Sequence, residues 1–120
     1  MNDYQMGVIE SRFADIIWEN EPISTAELVK RSEVLLGWKK STTYTLLKRL
    51  CEKGIFRNEH STVTSRISKQ DFYAHQSEKF VASTFHGSLP AFLAAFTARK
   101  DLTSEDIAAL REMIAKYEED

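Results

Sequence analysis

One cysteine, two prolines and four glycines are spread over 120 residues. Each scarcity excludes something. A single thiol, Cys51, cannot close an internal disulfide, so packing alone must hold the fold, as suits a reducing compartment. So few prolines and glycines leave no proline-rich or glycine-rich linker and no glycine-rich phosphate loop. Long apolar runs are missing as well. None approaches the roughly 18 residues of a spanning helix, and "MNDYQMGVIE" has no basic stretch leading into an apolar one. Neither membrane insertion nor a signal peptide is predicted, and the expected location is the cytoplasm. His60, His75 and His86 lack the spacing of metal ligands. No Ser/His/Asp set and no paired buried carboxylates are visible. The expectation is no metal, no cofactor and no enzymatic activity. Cys51 is expected to be a small packing residue rather than a nucleophile.

What is present is an uneven distribution of charge. Residues 1–29 carry one basic and six acidic side chains, and residues 101–120 carry two basic and seven acidic. Between them, residues 30–57 carry eight basic side chains (Lys30, Arg31, Lys39, Lys40, Lys48, Arg49, Lys53, Arg57) against Glu33 and Glu52. A basic block between acidic flanks points at a polyanion; the alternative is a solvated face with ordinary surface charge.

Apolar periodicity places the elements. "ESRFADIIWEN", residues 10–20, sets Phe13, Ile16 and Ile17 at helical spacing, with Met6 or Ile9 before them. Pro22 interrupts. "STAE", residues 24–27, reads as a capping box that opens a second helix with Leu28, Val29, Val34 and Leu35 or Leu36 on its apolar side, ending near Gly37. Trp38 is expected to anchor the connection in the core. A third helix runs from near Ser41 to Gly54. Thr43, Leu46, Leu47 and Leu50 share one side of it; Ser41, Tyr44, Thr45, Lys48, Arg49 and Glu52 share the other. Two short β-favouring runs, 55–58 and 62–67, then read as a hairpin whose turn lacks glycine.

Three helices followed by a hairpin is the order of a winged helix-turn-helix, in which the third helix enters the DNA major groove and the wing meets the backbone. Lys39 and Lys40 stand just before that helix, placed for phosphates, and its short hydroxyl side chains suit a close approach to base edges. The remainder is helical. Ser68 caps a helix with Phe72, Tyr73, Gln76, Phe80, Val81 and Phe85, stopping near Gly87. Ser88 and Pro90 open another with Leu89, Phe92, Leu93 and Phe96 inward. "TSED", residues 103–106, opens the last, with Ile107, Leu110, Met113, Ile114 and Tyr117 as a stripe before the solvated tail "EED".

The predicted fold is therefore mainly α with a small β-hairpin: a winged-helix DNA-binding domain at 1–67 and a helical region at 68–120. That second region is too short to bury its aromatics alone, so it packs on the first or on another chain. Phe80, Phe85, Leu89, Phe92, Leu93, Phe96, Ile107, Leu110 and Ile114 are the candidate dimerisation residues; Phe80, Phe85, Phe92 and Phe96 could line a ligand pocket, but such a set is more often core or dimer seam. Two other functions stay open: a winged-helix module that binds an acidic protein surface, and a ligand-gated repressor with an aromatic pocket.

Three segments carry a resemblance: "IIWENEPISTAELV", "GWKKSTTYTLLKRLCEKGIF", and "EKFVASTFHGSLPAFLAAF" with "LTSEDIAALREMI". Together they cover most of the chain, and they resemble the BlaI/MecI family, the penicillinase-repressor group of winged-helix repressors. The resemblance implies a cytoplasmic homodimer that represses transcription from a palindromic double-stranded DNA operator, with antibiotic-resistance or stress genes as targets. It implies DNA-facing positions at Ser41, Thr42, Thr45 and Arg49, with Thr42 and Thr45 at base edges and Lys39, Lys40, Lys48 and Arg49 at or near phosphates. It also implies a sensor protease as inactivating partner. In the inducible members that cut falls at an Asn-Phe bond; here the matching place is Ala95-Phe96, without the Asn. Copper-responsive relatives carry a C-terminal cysteine cluster, which a chain with Cys51 alone does not have. The wing is a few residues shorter than is usual in the family and lacks glycine and basic residues at its tip.

Overall fold

The computed structural model describes residues 5–119. These form six helices and three short strands, in the order α1 (Val8–Asn20), β1 (Ile23–Ser24), α2 (Thr25–Leu36), α3 (Lys40–Glu52), β2 (Phe56–Glu59), β3 (Thr62–Ser65), α4 (Lys69–Thr84), α5 (Leu89–Thr97) and α6 (Ser104–Glu118). Residues 1–4 and Asp120, the last acid of the tail, lie outside the described residues. The predicted class, mainly α with a small β element, is the observed one. No helix among the described residues is long and apolar enough to cross a membrane by itself.

The chain divides into two compact units, one up to Ser77 and one from Glu78 onward. The first unit has a true core. Phe13, Ala14, Ile16 and Ile17 of α1 meet Leu28 of α2, Leu47 and Leu50 of α3, and Ile23, Ile55, Phe56 and Val63 of the strands and their approach. Each of these side chains larger than Ala14 contributes about 1.5–3 kcal/mol by leaving water. Trp38 packs on this core as expected, its ring 5.1 Å from that of Phe13. Phe72 of α4 is buried with the same group, so the first turns of α4 belong to this unit.

The wing is a three-stranded sheet of order β1-β3-β2, antiparallel throughout. The expected hairpin is present at Phe56–Glu59 and Thr62–Ser65, with Glu59 opposite Thr62. The third strand, β1, was not foreseen; Ile23 pairs with Val63 and Ser24 with Thr62. The two-residue turn resolves the missing glycine: His60 and Ser61 both take positive φ, 52° and 61°. That is the signature of the type I′ turn whose twist matches a hairpin. The tip is pinned from outside, because the Thr25 N–H donates to the Ser61 carbonyl at 2.9 Å.

Several local readings change. Ser24 caps α2 by accepting from the Glu27 N–H at 3.1 Å, but Glu27 pairs with Arg31 rather than reaching back. Val34 and Leu35 do not face the core; they are exposed, and only Leu36 of that group packs inward. The left-handed Gly37 (φ 69°) reverses the chain before α2 completes another turn, and an L side chain there would be strained. Helix α3 starts one residue earlier than predicted, at Lys40.

The second unit differs in kind. No residue from 78 to 119 is fully buried. Phe80, Phe85, Phe92 and Phe96 form a chain of ring contacts with centroids 5.6–6.3 Å apart. The predicted caps hold: Ser88 opens α5, and Thr103 and Asp106 form a reciprocal capping box on α6.

Candidate nucleic-acid interface

The candidate residues cluster on α3. Thr43, Leu47 and Leu50 are buried, and their spacing fixes the helix's rotation about its axis. Ser41, Tyr44, Thr45, Lys48 and Arg49 are consequently exposed together, with Lys39 and Lys40 exposed at the N-terminal end. Thr42 is half-buried, between the two faces. The Lys40 ammonium stands 6.0 Å from the Tyr44 ring centre.

The start of α3 is unlike those of α2, α4, α5 and α6. Ser24, Ser68, Ser88 and Thr103 each accept a backbone N–H at the opening of α2, α4, α5 and α6. At α3 the capping position is Lys39, with no side-chain cap and no acid in the first turn. The first intrahelical bond runs from the Thr43 N–H to the Lys39 carbonyl. The backbone donors ahead of it, the positive end of the helix dipole and two lysines all carry positive charge at this end. Lysines here work against helix stability, since the dipole favours negative charge at this end.

The basic block is not all available. Lys53 donates to the Gln5 carbonyl at 2.6 Å and lies 3.4 Å from Glu10, tying α3's end to α1. Arg31 pairs with Glu27, and Arg57 with Glu59 on the wing at 3.5 Å. Among the described residues, Lys39, Lys40, Lys48 and Arg49 have no ion-pair partner, so their charge is uncommitted.

Two residues that position the wing were missed in sequence. Trp18 donates from Nε1 to the Ile67 carbonyl at 3.1 Å, and its ring lies 5.3 Å from Phe56 and 5.5 Å from Phe72. It joins α1, the wing and α4; its place among the apolar residues of α1 was the available signal. Glu21 accepts from the Ser65 N–H and hydroxyl, both at 2.8 Å, fastening the end of β3. A surface glutamate beside a proline carries no such signal. Lys69 reaches Asp15 at 2.9 Å, and that bond raises the Lys69 pKa. Burial raises the Cys51 pKa, favouring the protonated thiol, and the half-buried side chain packs against the core. No cluster of metal-ligating side chains occurs among the described residues.

Three helices, a wing on the third strand of a small sheet, and an outward third helix define a winged helix-turn-helix protein with an added helical unit. The chain belongs to the penicillinase-repressor family, whose model matches residues 6–116. It is similar to the methicillin resistance regulatory protein MecI of Staphylococcus aureus (strain Mu50), 25% identical over 117 residues, which covers 94% of this chain and 95% of the relative. The MecI proteins of Mammaliicoccus sciuri and Staphylococcus epidermidis are 24% identical over the same share of both chains.

Proposed function

We propose that this chain is a cytoplasmic, sequence-specific transcriptional repressor that binds a palindromic DNA operator as a homodimer. Its membership of a repressor family supports the regulatory role. The observation that carries the DNA reading is the start of α3, where lysines stand at a helix end of the kind that α2, α4, α5 and α6 cap with hydroxyls. A phosphate there offsets the unfavourable lysine–dipole contact, so this helix end is most comfortable when occupied. In this reading Thr45 and the accessible part of Thr42 meet base edges, Ser41 and Tyr44 complete the reading face, and Lys39, Lys40, Lys48 and Arg49 hold phosphates.

The dimer reading rests on the second unit. Phe80, Leu89, Phe96, Ile107 and Ile114 are exposed, while Phe85, Phe92, Leu93 and Leu110 are half-buried. Ile107, Leu110, Ile114 and Tyr117 follow the spacing of a helix-pairing stripe. A second copy supplies the missing cover and a second reading helix, which a palindrome requires. Residues 68–120 serve as the dimerisation domain, with the first turns of α4 also packing on the winged helix. A sensor protease acting at Ala95-Phe96 would have to unwind α5 first, because both residues are helical.

The test is selection from a randomised duplex pool at physiological salt, followed by anisotropy titration of the enriched sequence. The expected result is a palindrome with half-sites about one helical turn apart. Weak, sequence-blind binding would refute the reading and favour an acidic protein surface as the partner of α3.

A further inference from the structure

The wing passes into α4 through three residues, Arg66, Ile67 and Ser68, and each of them is held. The Arg66 N–H donates to the Ile55 carbonyl at 2.8 Å. The Ile67 carbonyl accepts from Trp18 Nε1 at 3.1 Å. The Ser68 hydroxyl accepts from the Asp71 N–H at 3.0 Å, so α4 starts at once. Both sides of the connection are fastened too. Before it, Glu21 grips Ser65. After it, Lys69 pairs with Asp15 at 2.9 Å, and Phe72, only 2% exposed, sets its ring against that of Trp18. Tyr73 follows, its ring 5.2 Å from Phe72 and 6.3 Å from Trp18. All of these residues belong to the first unit. A flexible tether is a run of unbonded glycine and serine; this connection has no slack residue. The first turns of α4 therefore leave α1 and the wing in a fixed direction.

We propose that this junction selects operators by the distance between their half-sites, with Trp18, Asp15 and Lys69 as the positioning residues. The inference rests on the dimer and operator readings above. One base pair added between half-sites moves them apart by about 3.4 Å and turns one against the other by about 35°. Reading helices on slack tethers follow such a change. On stiff ones they cannot engage both half-sites together, and the gain from pairing is lost. The face of α3 then selects the sequence of a half-site, and the junction selects the separation.

The probes are the palindrome enriched from the randomised pool, the same palindrome with its half-sites one or two base pairs closer or farther, and a duplex with a single half-site. Anisotropy titration of the full chain is expected to show about a tenfold loss for a change of one base pair. Trp18→Phe removes the indole donor and keeps a ring. Lys69→Met removes the ammonium and keeps its stem. Each is expected to leave single-half-site affinity unchanged and to cut the one-base-pair loss to about threefold, while Lys69→Arg keeps the full loss. A merely structural role would weaken every duplex alike. Trp38 emission checks the fold, and Lys69→Met, a change at an exposed residue, decides the case if Trp18→Phe does not fold. A wild-type chain indifferent to spacing, or a loss undiminished in Lys69→Met, would overturn the inference. Hydrogen exchange tests the stiffness without DNA. The Arg66 and Phe72 amides are expected to exchange slowly, and about tenfold faster in Lys69→Met; fast exchange in the wild type would overturn the inference as well. A pool that yields no palindrome overturns the operator reading, and the spacing role falls with it, whatever the exchange rates.

Discussion

Thr43 is buried on the inner side of α3, yet its hydroxyl has no hydrogen-bond partner among the described residues, and the same holds for Ser32 on α2. An unsatisfied buried hydroxyl costs about 1–3 kcal/mol, and Val has the shape of Thr without it. Thr43→Val is therefore expected to stabilise the chain by about 1 kcal/mol, read as a higher urea midpoint. DNA affinity should not change, because Thr43 faces inward. Ser61 offers the second single-residue test. Its φ of 61° is costly for an L side chain, by roughly 1–2 kcal/mol, and glycine relieves that cost while loosening the unfolded chain. The net gain expected for Ser61→Gly is about 0.5 kcal/mol, again in the urea midpoint; a loss would mean the hydroxyl matters to the tip. Neither site was visible in sequence. Periodicity told that Thr43 faces in, but whether a buried hydroxyl finds a partner depends on neighbours brought in by the fold. The left-handed turn was hidden because its usual markers, Asn and Gly, are absent from His60-Ser61.

At the scale of the element, α3 sets stability against function. Lys39→Asp would place a good cap, and a charge the dipole favours, at its start. The expected gain in stability is about 1 kcal/mol, and the expected effect on DNA binding is near-complete loss. A variant that melts higher yet still binds would show that this helix end meets no phosphate. The two kinds of contact separate in a salt titration. Lys40→Ala should weaken every sequence alike and reduce the log–log salt slope by about one. Thr45→Ala should cost operator affinity more than random-duplex affinity and leave the slope unchanged. Equal losses from both variants on both DNAs would sink the assignment. This helix was the most legible part of the chain, because 3.6-residue periodicity over four turns fixed both faces. The same rule failed at the end of α2. Val34 and Leu35 kept the apolar character of a core face, but Gly37 ends the helix where that side has already turned to solvent. Strand β1 was unreadable for another reason: two residues are too few to show alternation, and only Val63 across the sheet makes Ile23 a strand.

For the molecule as a whole, the two units draw stability from different sources. The winged helix owns its core, whereas residues 78–119 bury nothing fully. In the proposed pairing, the second unit's stability is set by chain concentration. Both tryptophans, Trp18 and Trp38, lie in the first unit, so two probes separate the halves. On dilution, helical circular dichroism is expected to fall, and its thermal midpoint with it, before tryptophan emission changes. Coincident, concentration-independent transitions would contradict that picture. The division of labour has a genetic consequence. In the proposed function the reading cations sit on α3 and the pairing stripe on α6, so there one mutation disables reading without touching pairing. A chain carrying Lys39→Asp and Arg49→Ala would still seat itself on an intact copy and leave that pair with one arm for its operator. Expressed beside the wild type, such an allele would be dominant: the defective chains spoil the good ones, and the regulated promoter opens although every cell still holds an intact gene.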